Sequence, residues 1–171
     1  MHLLQPVTLA AALLLAGCRT PGEWATLKTA IATRFPSIEH LTTVELAAQM
    51  ARSEGALPLL LDNRDAAEFA VSHLAGAHPS PDLPAALTAL AHAPLDTPVV
   101  AYCSVGYRSA ELVEQLQGAG YTAVRNLEGS IFQWANEGRP LYRGEERVST
   151  VHPYGEPWSR FLAPERRAPL P

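Results

Sequence analysis

The sequence predicts an α/β fold, a mainly parallel central sheet flanked by helices in a single domain. Three observations carry this. Residues 57–61 and 98–102 are short apolar runs, and strands covered on both faces read as continuous apolar runs rather than alternating ones. Each run is followed by helical spacing, and strands alternating with helices build parallel sheets. The 171 residues, 47% of them hydrophobic, suffice for one ordinary core plus extensions. A formal charge of −4 supplies no basic stripe, so nucleic acid is not an expected partner.

The elements follow in order. Residues 1–18 form a separate unit whose apolar stretch, 6–16, is too short for a mature transmembrane helix and about right for a signal-peptide core. The extension 19–37 places Trp24, Leu27, Ile31 and Phe35 at helical spacing and stops at Pro36. The domain, 38–141, opens with a short edge strand at 38–41. Thr42 and Glu45 have the spacing of a capping box for a helix running through Leu46 and Met50 to near Gly55. The strand at 57–61 ends at Asp62, and a short helix covers 66–70. Residues 73–77 read as a brief strand and turn, and 79–84 as a loop. Asp82 caps a helix over 83–92 with Pro84 in its first turn. The second central strand, 98–102, leads through a loop into a helix over 110–116, closed by Gly118 and Gly120. A strand at 122–126 and a helix at 129–136 complete the domain, which Gly138 and Pro140 end. Residues 142–171 form a Pro/Arg-rich C-terminal tail, read as irregular, with Tyr154, Trp158 and Phe161 available to wrap the domain.

The chemistry concentrates in Cys103-Ser104-Val105-Gly106-Tyr107-Arg108-Ser109. A cysteine between a strand end and a helix start faces backbone N–H groups and the positive end of the helix dipole, a setting that favours a thiolate. Gly106 lets the chain curl tightly, and Arg108 adds a fixed positive charge. The bland alternative, an inert buried cysteine, fits poorly beside those two residues. The chain has two cysteines, Cys18 and Cys103. If Cys18 is modified, Cys103 has no disulfide partner in the chain, and a lone thiol in an oxidising compartment is a liability unless its reactivity is used.

Leu15-Ala16-Gly17-Cys18 resembles the lipobox of bacterial lipoproteins. The resemblance implies cleavage before Cys18, acylation of its thiol, and a membrane-anchored protein facing the periplasm or another extracytoplasmic side. Two or three acyl chains anchor stably where one is marginal.

Residues 38 to 141 resemble the rhodanese-like domain of single-domain sulfurtransferases, through four motifs in order. Leu60-Leu61-Asp62-Asn63-Arg64 resembles a strand ending in Asp-x-Arg. Glu68-Phe69 with His73-Leu74-Ala75-Gly76-Ala77 resembles Glu-Phe … His-Ile-Pro-Gly-Ala. The Cys103 loop matches Cys-x-x-Gly-x-Arg-Ser. Leu127-Glu128-Gly129-Ser130, Trp134 and Gly138-Arg139-Pro140 resemble the closing Leu-x-Gly-Gly … Trp … Gly-x-Pro. Asn63, Ala75 and Ser130 depart from the pattern without removing a group that carries chemistry.

The resemblance implies sulfur transfer in two steps through a Cys103 persulfide, from a donor such as thiosulfate to a thiophilic acceptor. N–H groups from Ser104, Val105, Gly106, Tyr107, Arg108 and Ser109 would cradle the anionic sulfur. Arg108 would help hold an anionic donor, with the Ser104, Tyr107 and Ser109 hydroxyls as lesser contacts, and Ser109 has a second reading as a helix cap. No metal or organic cofactor is implied. The alternatives are a non-catalytic binding module, which commonly lacks the cysteine, and a persulfide carrier serving a protein partner. Four residues separate Cys103 from Arg108, where related phosphatases and arsenate reductases have five, so phosphate is expected to be crowded out. Asp62 and Arg64 have two readings: support near the site, or a buried pair (with Glu68 as another partner) locking the strand–helix turn. His73 and His78 lack a metal-ligand spacing, and His73 is expected to make a structural hydrogen bond. Residues 152–154 and Trp158 either cover the site or simply pack.

Overall fold

The computed structural model describes residues 21–52 and 57–169. Cys18 and the signal-like segment lie outside the described residues; the first domain helix, expected to run to near Gly55, ends at Met50 with Ala51 as its C-cap. The elements are α1 (Pro21–Arg34), β1 (Glu39–Leu41), α2 (Thr43–Met50), β2 (Leu59–Asp62), α3 (Ala66–Val71), β3 (His78–Pro79), α4 (Leu83–Ala89), β4 (Val99–Tyr102), α5 (Tyr107–Gly118), β5 (Val124–Leu127), α6 (Ser130–Asn136), β6 (Leu141–Arg143) and β7 (Glu146–Val148). Two 3-10 turns, Trp158–Phe161 and Pro164–Arg166, follow.

The five-stranded sheet has the order β1-β5-β4-β2-β3 and all its pairings are parallel. β4 is central and fully buried. Its register beside β2, with Leu59 opposite Val99 and Asp62 opposite Tyr102, brings both strand ends to one edge. Successive strand residues point to opposite faces. Leu60, Val100 and Tyr102 join a core with Leu46 of α2, Ile131 and Phe132 of α6, and Phe161 and Leu162 of the tail. Leu61, Val99 and Ala101 join a second core with Ile31 of α1, Ala86 of α4, and Leu112, Val113 and Leu116 of α5. The connections after β2 and β4 lead to opposite sides, β2 to its neighbour β3 and β4 to its neighbour β5. The carboxyl ends of those strands therefore form the switch point where α/β sheets bind ligands.

Local signals explain the helix starts. Thr42 accepts the Glu45 N–H at 3.2 Å while the Glu45 carboxylate accepts the Thr42 N–H at 2.9 Å. Asp82 accepts from Ala85 at 2.9 Å. Three features differ from the sequence reading. The expected strand at 73–77 reduces to a single bridge between His73 and Tyr142, and the edge strand falls at His78–Pro79. Gly76, at φ +69°, turns the chain there, and Pro79 is tolerated because an edge strand has one side without ladder bonds. α5 begins at Tyr107, three residues earlier than expected. The tail is not irregular throughout: β6 and β7 form a hairpin, and Val151, Phe161 and Leu162 are buried in the first core. The α1 stripe packs as expected, with Trp24 meeting Phe161 edge-on at 5.1 Å.

Candidate active site

The site starts from the turn at the end of β4. Gly106, at φ +107°, is the N-cap of α5. A side chain there would be strained by that backbone conformation, although a Cβ would meet Leu127 O, Asn126 Nδ2 and Ser130 Oγ only at ordinary contact distances of 3.4–3.6 Å. That curl brings the Gly106 N–H to Cys103 Sγ at 3.2 Å, so the sulfur sits at the head of a twelve-residue helix. The Gly106 N–H donates to that sulfur, and the positive end of the helix dipole lies beside it.

The loop is clamped from several elements. Ser130, at φ +49°, accepts the Cys103 N–H at 3.1 Å and donates to Leu127 O at 3.0 Å. Ile131 and Phe132 donate to the carbonyls of Cys103 and Ser104. Ser109 donates to Asn126 Oδ1 at 2.7 Å, and Asn126 Nδ2 donates to Gly106 O at 3.0 Å. Ser109 thus braces the back of the loop through β5, away from the pocket.

Glu68 is the central residue that sequence reasoning left out of the site. It is 2% exposed and accepts from Arg108 Nη2 at 3.0 Å, from Arg108 Nη1 at 3.1 Å and from Ser104 Oγ at 3.0 Å. It also takes the Asp65 N–H at 3.1 Å, so a helix-capping carboxylate of α3 holds the Cys103 loop. The Glu three residues after Asp65 was readable as a cap; its reach to Arg108, forty residues away, was not. Burial works against the Arg108 charge, but the Cys103 sulfur and the Glu68 carboxylate outweigh it and hold the guanidinium above the ordinary arginine value.

Cys103, Ser104, Val105, Tyr107 and Arg108 line a pocket of about 210 Å³, together with Tyr154 and Trp158 of the tail. Tyr107 is steadied by an edge-on contact with Phe35 at 5.3 Å, and the Tyr154 ring lies 4.7 Å from the Arg108 guanidinium carbon. Asp62 and Arg64 do not reach this pocket. They form a buried pair: Arg64 Nε donates to Asp62 Oδ1 at 2.8 Å, and Nη2 donates to Asp62 Oδ2 and to Ser72 O, both at 2.6 Å. Burial opposes the Arg64 charge and Asp62 more than restores it. Burial, joined by the Asp62 charge, pushes the Tyr102 phenol well above its ordinary value, and that neutral hydroxyl accepts the Leu74 N–H at 3.1 Å. His73 stacks on Phe69 and accepts the Gly144 N–H at Nε2, leaving Nδ1 to donate to Leu74 O.

The model of the rhodanese-like domain matches residues 42–137. The chain belongs to the rhodanese-like domain family. A sulfurtransferase of Allochromatium vinosum is 32% identical over 110 residues, covering 63% of this chain and 98% of that protein. The probable adenylyltransferase/sulfurtransferase MoeZ of Mycobacterium tuberculosis is 37% identical over 82 residues, covering 47% of this chain and only 21% of that longer protein. Among solved structures, a rhodanese-like domain protein from Staphylococcus aureus superposes with a TM-score of 0.52 at 26% identity, covering 61% of this chain and 97% of that one. The matched rhodanese-like region contains Cys103, Arg108, Glu68 and Ser130. It stops short of Tyr154 and Trp158, so the outer wall of the pocket comes from an extension of the rhodanese-like domain.

Proposed function

We propose that this protein is a rhodanese-type sulfurtransferase that carries a sulfane sulfur on Cys103. The observation supporting this reading is Cys103 Sγ held by the Gly106 N–H at the head of α5, in a pocket shared with Arg108. In the first half-reaction the Cys103 thiolate attacks the outer sulfur of a donor such as thiosulfate. The donor S–S bond breaks, its electron pair leaves on sulfite, and Cys103–S–S⁻ remains. In the second, a thiophile such as cyanide attacks the terminal sulfur, and the bond pair returns to the Cys103 thiolate. No metal or organic cofactor takes part in either step. Arg108, oriented by Glu68, and the N–H groups at the start of α5 stabilise the anions on both sides of the exchange.

Intact mass of the full chain tests this directly. Incubation with thiosulfate is expected to add one sulfur, mapping to the Cys103 peptide, and cyanide is expected to remove it. No mass gain with Cys103 reduced and reactive to alkylation overturns the proposal and favours a non-catalytic binding module.

We further propose that the protein acts at the membrane surface on an extracytoplasmic side, anchored by acyl chains on Cys18. The lipobox-like Leu15-Ala16-Gly17-Cys18 supports this, and Cys18 precedes the start of α1 by three residues. A Cys18→Ala variant is expected to move from the membrane to the soluble fraction; an unchanged distribution refutes lipid anchoring.

A further inference from the structure

The extension that walls the pocket is built to hold its aromatic rings in place. Val151 is buried and exchanges backbone hydrogen bonds with Arg166 and Ala168 at 2.7 and 2.9 Å. Trp158 packs on Phe161, which in turn meets Trp24 of α1. Between these anchors Tyr154 takes the left-handed conformation, φ +66°, which is an outlier for a bulky residue. His152 Nδ1 accepts its N–H at 3.0 Å. That backbone puts the Tyr154 ring beneath the Arg108 guanidinium.

The pocket that results is poor in available charge. Among the described residues Arg108 is the one cationic side chain lining it, Glu68 engages both of its Nη groups, and its guanidinium lies over the Tyr154 ring. The remaining walls around Cys103, itself 1% exposed, are Val105, Tyr107, Tyr154 and Trp158 with the Ser104 hydroxyl. A charged group on an acceptor finds no cation among the described lining residues beyond the Arg108 that serves the anionic donor. An apolar organic group gains contact with three aromatic rings while its sulfur points at Cys103.

Resting on the persulfide reading above, we propose that the sulfur acceptor is an organic thiol bearing an aromatic or branched apolar group. Tyr154 and Trp158 are its specificity-determining residues. Cys103–S–S⁻ takes up the proton that the acceptor thiol R–S–H gives up on ionising, and the thiolate R–S⁻ attacks the outer sulfur of the resulting Cys103–S–S–H. The bond between the two Cys103-borne sulfurs breaks, its electron pair returns to the Cys103 thiolate, and the acceptor leaves as R–S–S–H. No further oxidant or reductant enters.

The test compares two alkyl thiols that differ in the body rather than the sulfur, phenylmethanethiol and 2-mercaptoethanol. The full chain is loaded with thiosulfate, loading is verified by mass, and discharge is timed with each thiol at matched thiolate concentration. Wild type is expected to prefer phenylmethanethiol by about tenfold or more, the scale of one well-filled apolar contact. Trp158→Ala and Tyr154→Ala are each expected to lower that preference several-fold, and Trp158→Phe to keep most of it. Taking a ratio of two acceptors cancels any general loss of reactivity. Tyr154 is 43% exposed, so its variant reports even if truncating Trp158 unfolds the tail. A ratio near one in wild type, or one unmoved in both alanine variants, overturns the acceptor assignment while leaving sulfur transfer intact. Absence of loading in wild type overturns the persulfide reading itself and this inference with it.

Discussion

Cys103→Ser is expected to reduce sulfur transfer to the uncatalysed rate, a fall on the order of 10⁴-fold or more. The substitution keeps nearly the same volume, and the hydroxyl oxygen can still accept the Gly106 N–H that now reaches Sγ at 3.2 Å. It removes the two properties that the proposed chemistry uses. Serine cannot take up a sulfane sulfur as a persulfide. Nor is its hydroxyl ionised near neutral pH without a base, and the pocket lining of Ser104, Val105, Tyr107, Arg108, Tyr154 and Trp158 contains none. Glu68, the nearest carboxylate in the hydrogen-bond network, already serves Arg108 and Ser104. The fold should survive, with a thermal midpoint lowered by a few degrees at most, because the buried hydroxyl retains a hydrogen-bond partner. Thiocyanate production and intact mass, measured beside a melting curve, separate loss of chemistry from loss of structure. Turnover within tenfold of wild type by the folded variant would show that the sulfur is carried elsewhere.

Much of this site was legible before any coordinates because its signals are local. The run ending at Tyr102, the glycine three residues after Cys103 and the helical spacing beyond it all lie within about twenty residues, and each restricts the backbone by itself. The capping pairs Thr42 with Glu45, and Asp82 ahead of Pro84, are local in the same way. What stayed hidden depends on which strands become neighbours. Ser109 meets Asn126, and Glu68 meets Arg108, only because β5 and α3 are brought beside the β4–α5 turn. β3, with two residues, is too short to carry a period of its own. The tail misled for another reason. Its buried members, Val151, Phe161 and Leu162, stand at no regular spacing among prolines and arginines, so neither the helix nor the strand pattern marks them. They are nonetheless core residues, which is why point substitutions at Tyr154 and Trp158, rather than removal of the tail, are the clean way to ask what that wall does.

Arg64→Ala is expected to destabilise the protein by about 3–5 kcal/mol, the usual cost of stripping the partner from a buried charge. That is a large part of the roughly 5–15 kcal/mol by which domains of this size are stable. Asp62 is 0% and Arg64 1% exposed, so water cannot replace the lost guanidinium. Three groups lose their Arg64 donors together: both Asp62 oxygens and the Ser72 carbonyl that closes α3. The effect should reach the chemistry through the backbone, because Asp62 ends β2 beside Tyr102 while α3 carries Glu68. Sulfur transfer is therefore expected to weaken in the folded fraction, although neither member of the pair touches the pocket. The double variant Asp62→Leu/Arg64→Met separates a lock from a mere charge balance. Replacing both members of a buried pair by apolar side chains is often close to neutral. Arg64 Nη1, moreover, already lacks a hydrogen-bond partner among the described residues. Denaturant melts of both single variants and the double should show the double recovering most of the loss. A cost below about 1 kcal/mol for Arg64→Ala would mean that the strand–helix turn is held by its packing alone; a double variant as unstable as the singles would mean that the Ser72 and Leu74 ends of the network, reached through Arg64 and Tyr102, matter more than the charges.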